Sequence, residues 1–352
     1  MSRVLVLCTA RGIPVDGPSG ASAHLRGVSR ALSSLGHDVH VATPLRSDQR
    51  GSHDPLQLPF TGLPPRRWPS WLREHGESWD SRALAQRAVA RARPDILWER
   101  HTLFGDGGRR EAERHGIPRL VELNAPLSLE RPGVRGVRRA ERLERENLQR
   151  ADRVIAVSEW LADWAVQQGV SPARVRHVPN GTSLTALGRR DATRRRLELT
   201  GLVVGFVGTH KPWHGLGGLP AVLESLPEAT ALVVGDGPAP VPDHPRLRRV
   251  PWTPPGALAD LVAAMDVGLV PYPPSAPPWF CPLKVFDYHS QGVPVVASPH
   301  PSSSLADITV QHGSRGWATA IREAACLPRR RVLRSWEQVV QEALAGWRIE
   351  AC

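Results

Sequence analysis

Lysine occurs at only two positions in this chain, Lys211 and Lys284; lysine and arginine together number 45, so 43 are arginines. Both lysines fall in segments suited to holding an anion. GTHKPWHGLGG directly follows an apolar run and places Gly208, Lys211, His214 and Gly215 in a short loop that enters a helix. Phosphate oxygens are bound by positive charge and by backbone N–H groups at such loop-to-helix junctions. Lys211 is the leading ligand for a pyrophosphate, with a solvated loop lysine as the plain alternative. His214 stands equally well as a structural histidine. Lys284 opens the helix PLKVFDYHSQG, and Asp287, three residues on, lies along the same helical face.

A second set of polar residues closes apolar runs in the first half of the chain. Ser19, Gly20 and Ala21 form a small-residue loop where backbone can approach a ligand closely, and His24 lies one turn into the helix that follows. Trp98-Glu99-Arg100-His101 and Glu122-Leu123-Asn124 end two further strands. Glu99, Arg100, His101, Glu122, Asn124 and His24 are candidates for gripping hydroxyls or amines of an acceptor molecule.

The elements that must position these groups follow from hydrophobic spacing. Residues 4–7 read as a buried strand, and Ala21, Leu25, Val28, Leu32 and Leu35 recur at helical spacing before Gly36 as a C-cap. Val39 and Val41 begin the next strand. Residues 51–80 break into Pro, Trp and Arg and read as an irregular insertion. Strands are expected at 95–98, 119–122 and 153–157, with an Arg/Glu-rich helix at 137–150 and Ser158 as an N-cap. A turn at Asn180-Gly181 and a polar, Arg-rich linker at 187–200 follow. The same grammar then restarts, with strands at 202–207, 231–234, 267–270 and 294–296. Short apolar strands alternating with helices imply parallel sheets covered on both faces, hence a two-domain α/β protein. The expected domains are 1–186 and 201–333, with a last helix in 334–352 packing back across them.

Composition excludes several classes. At 352 residues, 41% hydrophobic and 22% charged, the chain carries enough apolar material for two packed cores and is not a disordered polymer. No apolar stretch is long enough for a bilayer, and MSRVLVLCTA reads as a first strand rather than a secretion signal, so a cytoplasmic location is expected. Cys8, Cys281, Cys326 and Cys352 are far apart and form neither a zinc motif nor a disulfide framework. The formal charge of +11 invites an anionic partner. Trp68 and Trp71 beside Arg66 and Arg67 would suit a membrane interface better than nucleic acid, because no recognised nucleic-acid module is present. Glu141, Glu144 and Glu146 among the arginines of 135–150 point instead to a solvated, salt-bridged helix face.

Six segments then occur in a telling order. They are PSGASAHLRGVSRALSSLGHDVHVAT, ADRVIAVSEWL, VRHVPNGTS, VGFVGTHKPWHG, VVGDGP and FCPLKVFDYHSQGVPVVAS. The set, spanning about residues 2–300, resembles family 4 glycosyltransferases. That resemblance implies a GT-B fold, two Rossmann-like domains facing across a cleft. It also implies transfer of a sugar from a nucleotide donor, UDP-, GDP- or dTDP-linked, with retention at the anomeric carbon and without a metal or other cofactor. On this reading Lys211 and Lys284 stabilise the leaving diphosphate, while Gly208, His214, Gly215, Asp236 and Gly20 contact the donor. Asp287 falls where the family offers an acid to the ribose hydroxyls. Trp279 stands where the family usually has a first glutamate, a departure shared with PLK-type relatives. Asp236 serves equally as a turn cap, and Asn180-Gly181 as a plain turn. The acceptor would be an aminocyclitol-like secondary metabolite or an envelope glycan or glycolipid, the latter bringing peripheral contact with the inner membrane face. An epimerase or phosphorylase on the same fold, or a non-catalytic anion-binding or membrane-surface protein, is the competing reading.

Overall fold

The computed structural model describes residues 1–44, 56–63, 68–69, 71–131, 133–310 and 313–347. The chain forms two compact units, one of residues 1–179 with 336–352 and one of residues 180–335.

In the first unit the strands are β1 (Arg3–Cys8), β2 (Asp38–Thr43), β3 (Phe60–Gly62), β4 (Ile96–Arg100), β5 (Arg119–Leu123), β6 (Arg153–Ala156) and β7 (Val175–His177). Its helices are α1 (Gly20–Ser34), α2 (Arg73–Ala92), α3 (Gly107–His115), α4 (Leu127–Glu130), α5 (Val137–Gln149) and α6 (Glu159–Gln167). The sheet runs β3-β2-β1-β4-β5-β6-β7 and every pairing is parallel. Val4 to Cys8 are at most 1% exposed, so β1 is covered on both faces, the reason its sequence is apolar without alternation. Strand order reverses direction between β1 and β4, and a ligand in such a sheet binds beyond the C-terminal ends of those two strands.

The second unit opens with α7 (Arg190–Arg196) and continues β8 (Leu202–Val207), α8 (Leu219–Glu224), β9 (Ala229–Val234), β10 (Leu247–Val250), α9 (Pro255–Ala263) and β11 (Val267–Val270). It closes with α10 (Leu283–Ser290), β12 (Val295–Ala297), β13 (Ile308–Thr309) and α11 (Gly313–Ala325). Its parallel sheet has the order β10-β9-β8-β11-β12-β13, with the reversal between β8 and β11. Val203, Val207, Leu232 and Val270 pack on one face, while Val204, Phe206, Val233 and Leu269 pack on the other.

Two expectations need correcting. The insertion at 51–80 contains β3, which pairs with β2, and the first turns of α2; residues 51–55, 64–67 and 70 lie outside the described set. The expected linker at 187–200 is part of the second unit, which begins at Asn180. Its arginines are held there by part-buried carboxylates: Arg190 and Arg194 both bond Asp266, and Arg189 Nη2 bonds Asp260 Oδ2 at 2.8 Å. Ion pairing, invisible to apolar periodicity, orders that helix. Cys8, Cys281 and Cys326 are free thiols, and Cys352 lies outside the described residues.

The last helix, α12 (Trp336–Leu344), belongs to the first unit and packs on α1. Arg153 Nη1 donates to the Ala343 carbonyl at 2.8 Å, tying β6 to the same helix. A Cβ built on Gly27 of α1 would lie 2.3 Å from the Trp336 indole, so glycine there is a close-approach requirement. Gly27→Ala therefore sets a helix-propensity gain of about 1 kcal/mol against overpacking of about 1–3 kcal/mol. The expected outcome is a lower Tm in thermal denaturation, and an unchanged or raised Tm would contradict the packing argument.

Candidate functional site

The sheet reversal of the second unit gathers most of the residues named for anion binding. The loop after β8 and the segment after β11 meet backbone to backbone: a Cβ on Gly215 (φ +68°) would fall 1.7 Å from the Pro271 carbonyl oxygen. The turn after β9 brackets the same loop. A Cβ on Gly235 (φ +121°) would lie 2.3 Å from the Gly208 oxygen, and one on Gly237 would lie 2.3 Å from the His210 oxygen. Asp236 completes the bracket. Its carbonyl accepts from His210 N at 3.0 Å, and its Oδ2 accepts from Trp252 N at 2.7 Å. The Asp236 carboxylate is thus engaged in holding the turn.

Lys284, in the first turn of α10, is 6% exposed. Its Nζ lies 3.9 Å from the centre of the Phe206 ring and 5.4 Å from that of Tyr272. It has no hydrogen-bond partner among the described residues. Burial pushes its ammonium down to about 7, against some upward pull from Asp287. Two more nitrogens nearby are buried and unpartnered, His210 Nε2 and His214 Nδ1. The His214 ring stacks on Tyr272 at 5.7 Å and 20°. Burial, reinforced by the Lys284 charge, drives His214 down to about 2 and leaves it a neutral imidazole. Lys211 caps the short 3-10 turn Pro212–His214, with its Nζ 5.9 Å from the centre of the Trp213 ring, and is half-buried.

These observations reorder the sequence reading. Lys284 is the enclosed cation, and Lys211 stands on the more open loop. His210, which the sequence reading passed over, joins the cluster; its place in the same THKPWH loop was the available signal. Asp287 is not an isolated acid, because its Oδ1 accepts from Thr182 Oγ1 at 2.6 Å. Burial raises its carboxyl to about 6, with Thr182 and Lys284 opposing. The turn at Asn180-Gly181 is more than a turn: Asn180 Nδ2 donates to the Cys281 carbonyl at 2.8 Å, fixing the approach to α10. Trp279 is buried against Phe280, with ring centres 6.5 Å apart.

In the first unit several acceptor candidates are committed to one another. Glu99 Oε2 accepts from Arg119 Nε at 2.6 Å, both side chains buried, which makes this pair part of the sheet rather than a free gripping group. His101 Nε2 meets Glu144 Oε1 at 2.9 Å, and that carboxylate also accepts from Leu127 N and Ser128 N at the start of α4. His24 Nε2 meets Glu122 Oε1 at 2.7 Å, again buried, and the His24 ring packs edge-on against Trp336 at 4.9 Å. Burial alone would raise the Glu122 carboxyl, but His24 and Arg100 more than offset it and hold it below the ordinary range. Gly20 begins α1 behind Ser19, whose side chain accepts from Ser22 N. Arg100 and Asn124 keep buried nitrogens without partners, Nη1 and Nδ2. Trp71 and Trp79 are 61% and 45% exposed, whereas Arg66 and Arg67 lie outside the described residues.

A buried lysine at about 7 affects stability in a defined direction. Unfolded, Lys284 keeps its proton to about 10.5, so between these values the unfolded chain binds more protons and stability rises with pH. Lys284→Met removes this contribution. Chemical denaturation at pH 7 and 9.5 is expected to show a smaller rise for the variant than for wild type; equal rises would mean that Lys284 is not desolvated.

No curated protein matches the chain in sequence. Solved structures match its fold closely. Sucrose-phosphate synthase from Thermosynechococcus elongatus has a TM-score of 0.71 at 17% identity, covering 97% of this chain and 93% of that one. HepE from Anabaena, in complex with UDP-glucose, has a TM-score of 0.70 at 16% identity over 99% and 96%. The catalytic domain of starch synthase IV from Arabidopsis thaliana, bound to ADP and acarbose, has a TM-score of 0.68 at 13% identity over 98% and 95%. The fold is GT-B, with two Rossmann-like α/β units. In sequence, residues 18–186 match the model of Glycosyltransferase Family 4.

Proposed function

We propose that the chain is a glycosyltransferase that binds a nucleotide-sugar in its second unit and an acceptor hydroxyl in its first. The observation that carries this reading is the enclosed Lys284 ammonium, unpartnered beside His210 and His214 at the β8/β11 reversal. Asp287 attracts this cation without hydrogen-bonding to it; a buried ammonium with no hydrogen-bonded anion is costly, and a diphosphate at this place would pair it. The family match over residues 18–186 supports the reading, as do fold neighbours whose structures contain UDP-glucose or ADP.

In this mechanism Lys284, Lys211 and the backbone N–H groups of the 208–215 loop hold the diphosphate. The bond between the anomeric carbon and the phosphate oxygen breaks, and the acceptor oxygen forms the new bond to that carbon. The acceptor proton passes to the departing phosphate oxygen on the same face, which gives retention without a separate protein base. Catalysis is then chiefly electrostatic stabilisation of the leaving group and of the cation-like sugar. Neutral His214 contributes a ring wall and one N–H or lone pair rather than charge. Asp287, steadied by Thr182, stands three residues from Lys284 to receive ribose hydroxyls.

Two outcomes are expected. Lys284→Ala should keep the fold, weaken nucleoside diphosphate binding and lower turnover by roughly two to three orders of magnitude. A thermal-shift screen with UDP, GDP, ADP, dTDP and their sugars reads the first effect directly, and no stabilisation of wild type by any of them would remove the donor site. The second concerns pH. A bound diphosphate raises the Lys284 pKa from about 7, so binding takes up a proton above that pH and affinity should fall between pH 7 and 9. Calorimetry in buffers of different ionisation enthalpy should register that proton, and Lys284→Ala should abolish it.

A further inference from the structure

Strands β4 and β5 carry four charged side chains, Glu99, Arg100, Arg119 and Glu122, and three of them are hydrogen-bonded. Glu99 is bonded to Arg119 at 2.6 Å. Glu122 is taken by His24 at 2.7 Å. Arg100 lacks a hydrogen bond among the described residues. It is 9% exposed, its Nη1 is fully buried, and that atom has no hydrogen-bond partner among the described residues. The Arg100 charge faces the Glu122 carboxylate and helps hold it ionised, but a buried guanidinium N–H without an acceptor is still costly.

Strand register shows what Arg100 faces. It pairs with Cys8 on β1 and with Glu122 on β5, so these three side chains share one face of the sheet, the face on which His24 of α1 meets Glu122. Asn124 lies just past the end of β5, two residues beyond Glu122, with its Nδ2 also buried and unpartnered. Thr9 and Thr102 bond each other at 2.7 Å across the ends of β1 and β4 and close the edge beside it. Two unmatched donors, one of them cationic, thus stand at the reversal of strand order where such sheets take ligands.

We propose that Arg100 and Asn124 bind an oxyanion, so that the acceptor taken by the first unit is a sugar bearing a phosphate or carboxylate group. The planar guanidinium fork matches either group, and the Asn124 amide adds a third N–H donor. This inference rests on the first unit being the acceptor side of a glycosyltransferase. The oxyanion is a handle that orients the acceptor and takes no part in bond making. Glu122, the register neighbour of Arg100 and already engaged by His24, disfavours a second negative group beside it.

The test titrates the full chain at constant ionic strength with glucose 6-phosphate, glucuronate and glucose, each with and without UDP. At least one acidic sugar should bind wild type roughly ten- to a hundred-fold more tightly than glucose, the scale of a charge-assisted pair. The tighter of the two identifies the oxyanion as phosphate or carboxylate. Arg100→Gln should bring that affinity to the level of glucose and leave UDP binding unchanged, while Arg100→Lys, which keeps charge but loses the fork, should fall between. Should Arg100→Gln fail to fold by circular dichroism, Asn124→Ala carries the test with a several-fold loss. Glucose binding as tightly as both acidic sugars, acidic-sugar binding displaced by UDP, or affinities untouched in the folded variants would each overturn the proposal. UDP binding without acidic-sugar preference sinks this inference alone; Arg100-dependent binding without UDP binding sinks the donor reading alone.

Discussion

The desolvated ammonium of Lys284 is the constraint around which the second unit is arranged. It sits against the faces of Phe206 and Tyr272, which offer a cation some compensation through their ring electrons but no hydrogen bond. Burial lowers its pKa and that of His214, the latter with help from the Lys284 charge. The result is a pocket whose field is positive and whose titration falls within the physiological range, poised for an anion that brings its own charge.

Backbone contacts hold that pocket in shape. Gly215, Gly235 and Gly237 each sit where a Cβ would run into a neighbouring carbonyl, so the loops after β8, β9 and β11 lock together without side chains between them. Positive φ at Gly215 and Gly235 makes glycine doubly required there. The carboxylate of Asp236 and the amide of Asn180 secure the outer ends of this set. A site built from locked backbone keeps its donors oriented before a ligand arrives, which is what electrostatic stabilisation of a leaving group needs.

The first unit solves a different problem with the same topology. Polar residues on β4 and β5 are drawn into the sheet as matched pairs, Glu99 with Arg119 and Glu122 with His24, leaving Arg100 Nη1 and Asn124 Nδ2 without acceptors among the described residues. From the sequence, the five candidates at the ends of β4 and β5 looked alike, because each is a polar residue at a strand end. Pairing distinguishes them, and partners such as Arg119 and Glu144 lie 20 and 43 residues away along the chain. The ordered helix α7 escaped notice for a related reason: its sequence has no apolar stripe, and Asp266, which holds it, is more than 70 residues distant.

The sequence by itself determined the two α/β units, the placement of their first and second sheets, and the two lysines as the groups to watch. Apolar runs, turn glycines and residue type are local properties, and parallel strands buried on both faces write them plainly. Only the tertiary structure decided which lysine is enclosed, that Thr182 holds Asp287, and which charges in the first unit are spent on each other. Desolvation and ion pairing depend on what lies within a few ångströms in space, and the chain order does not carry that distance.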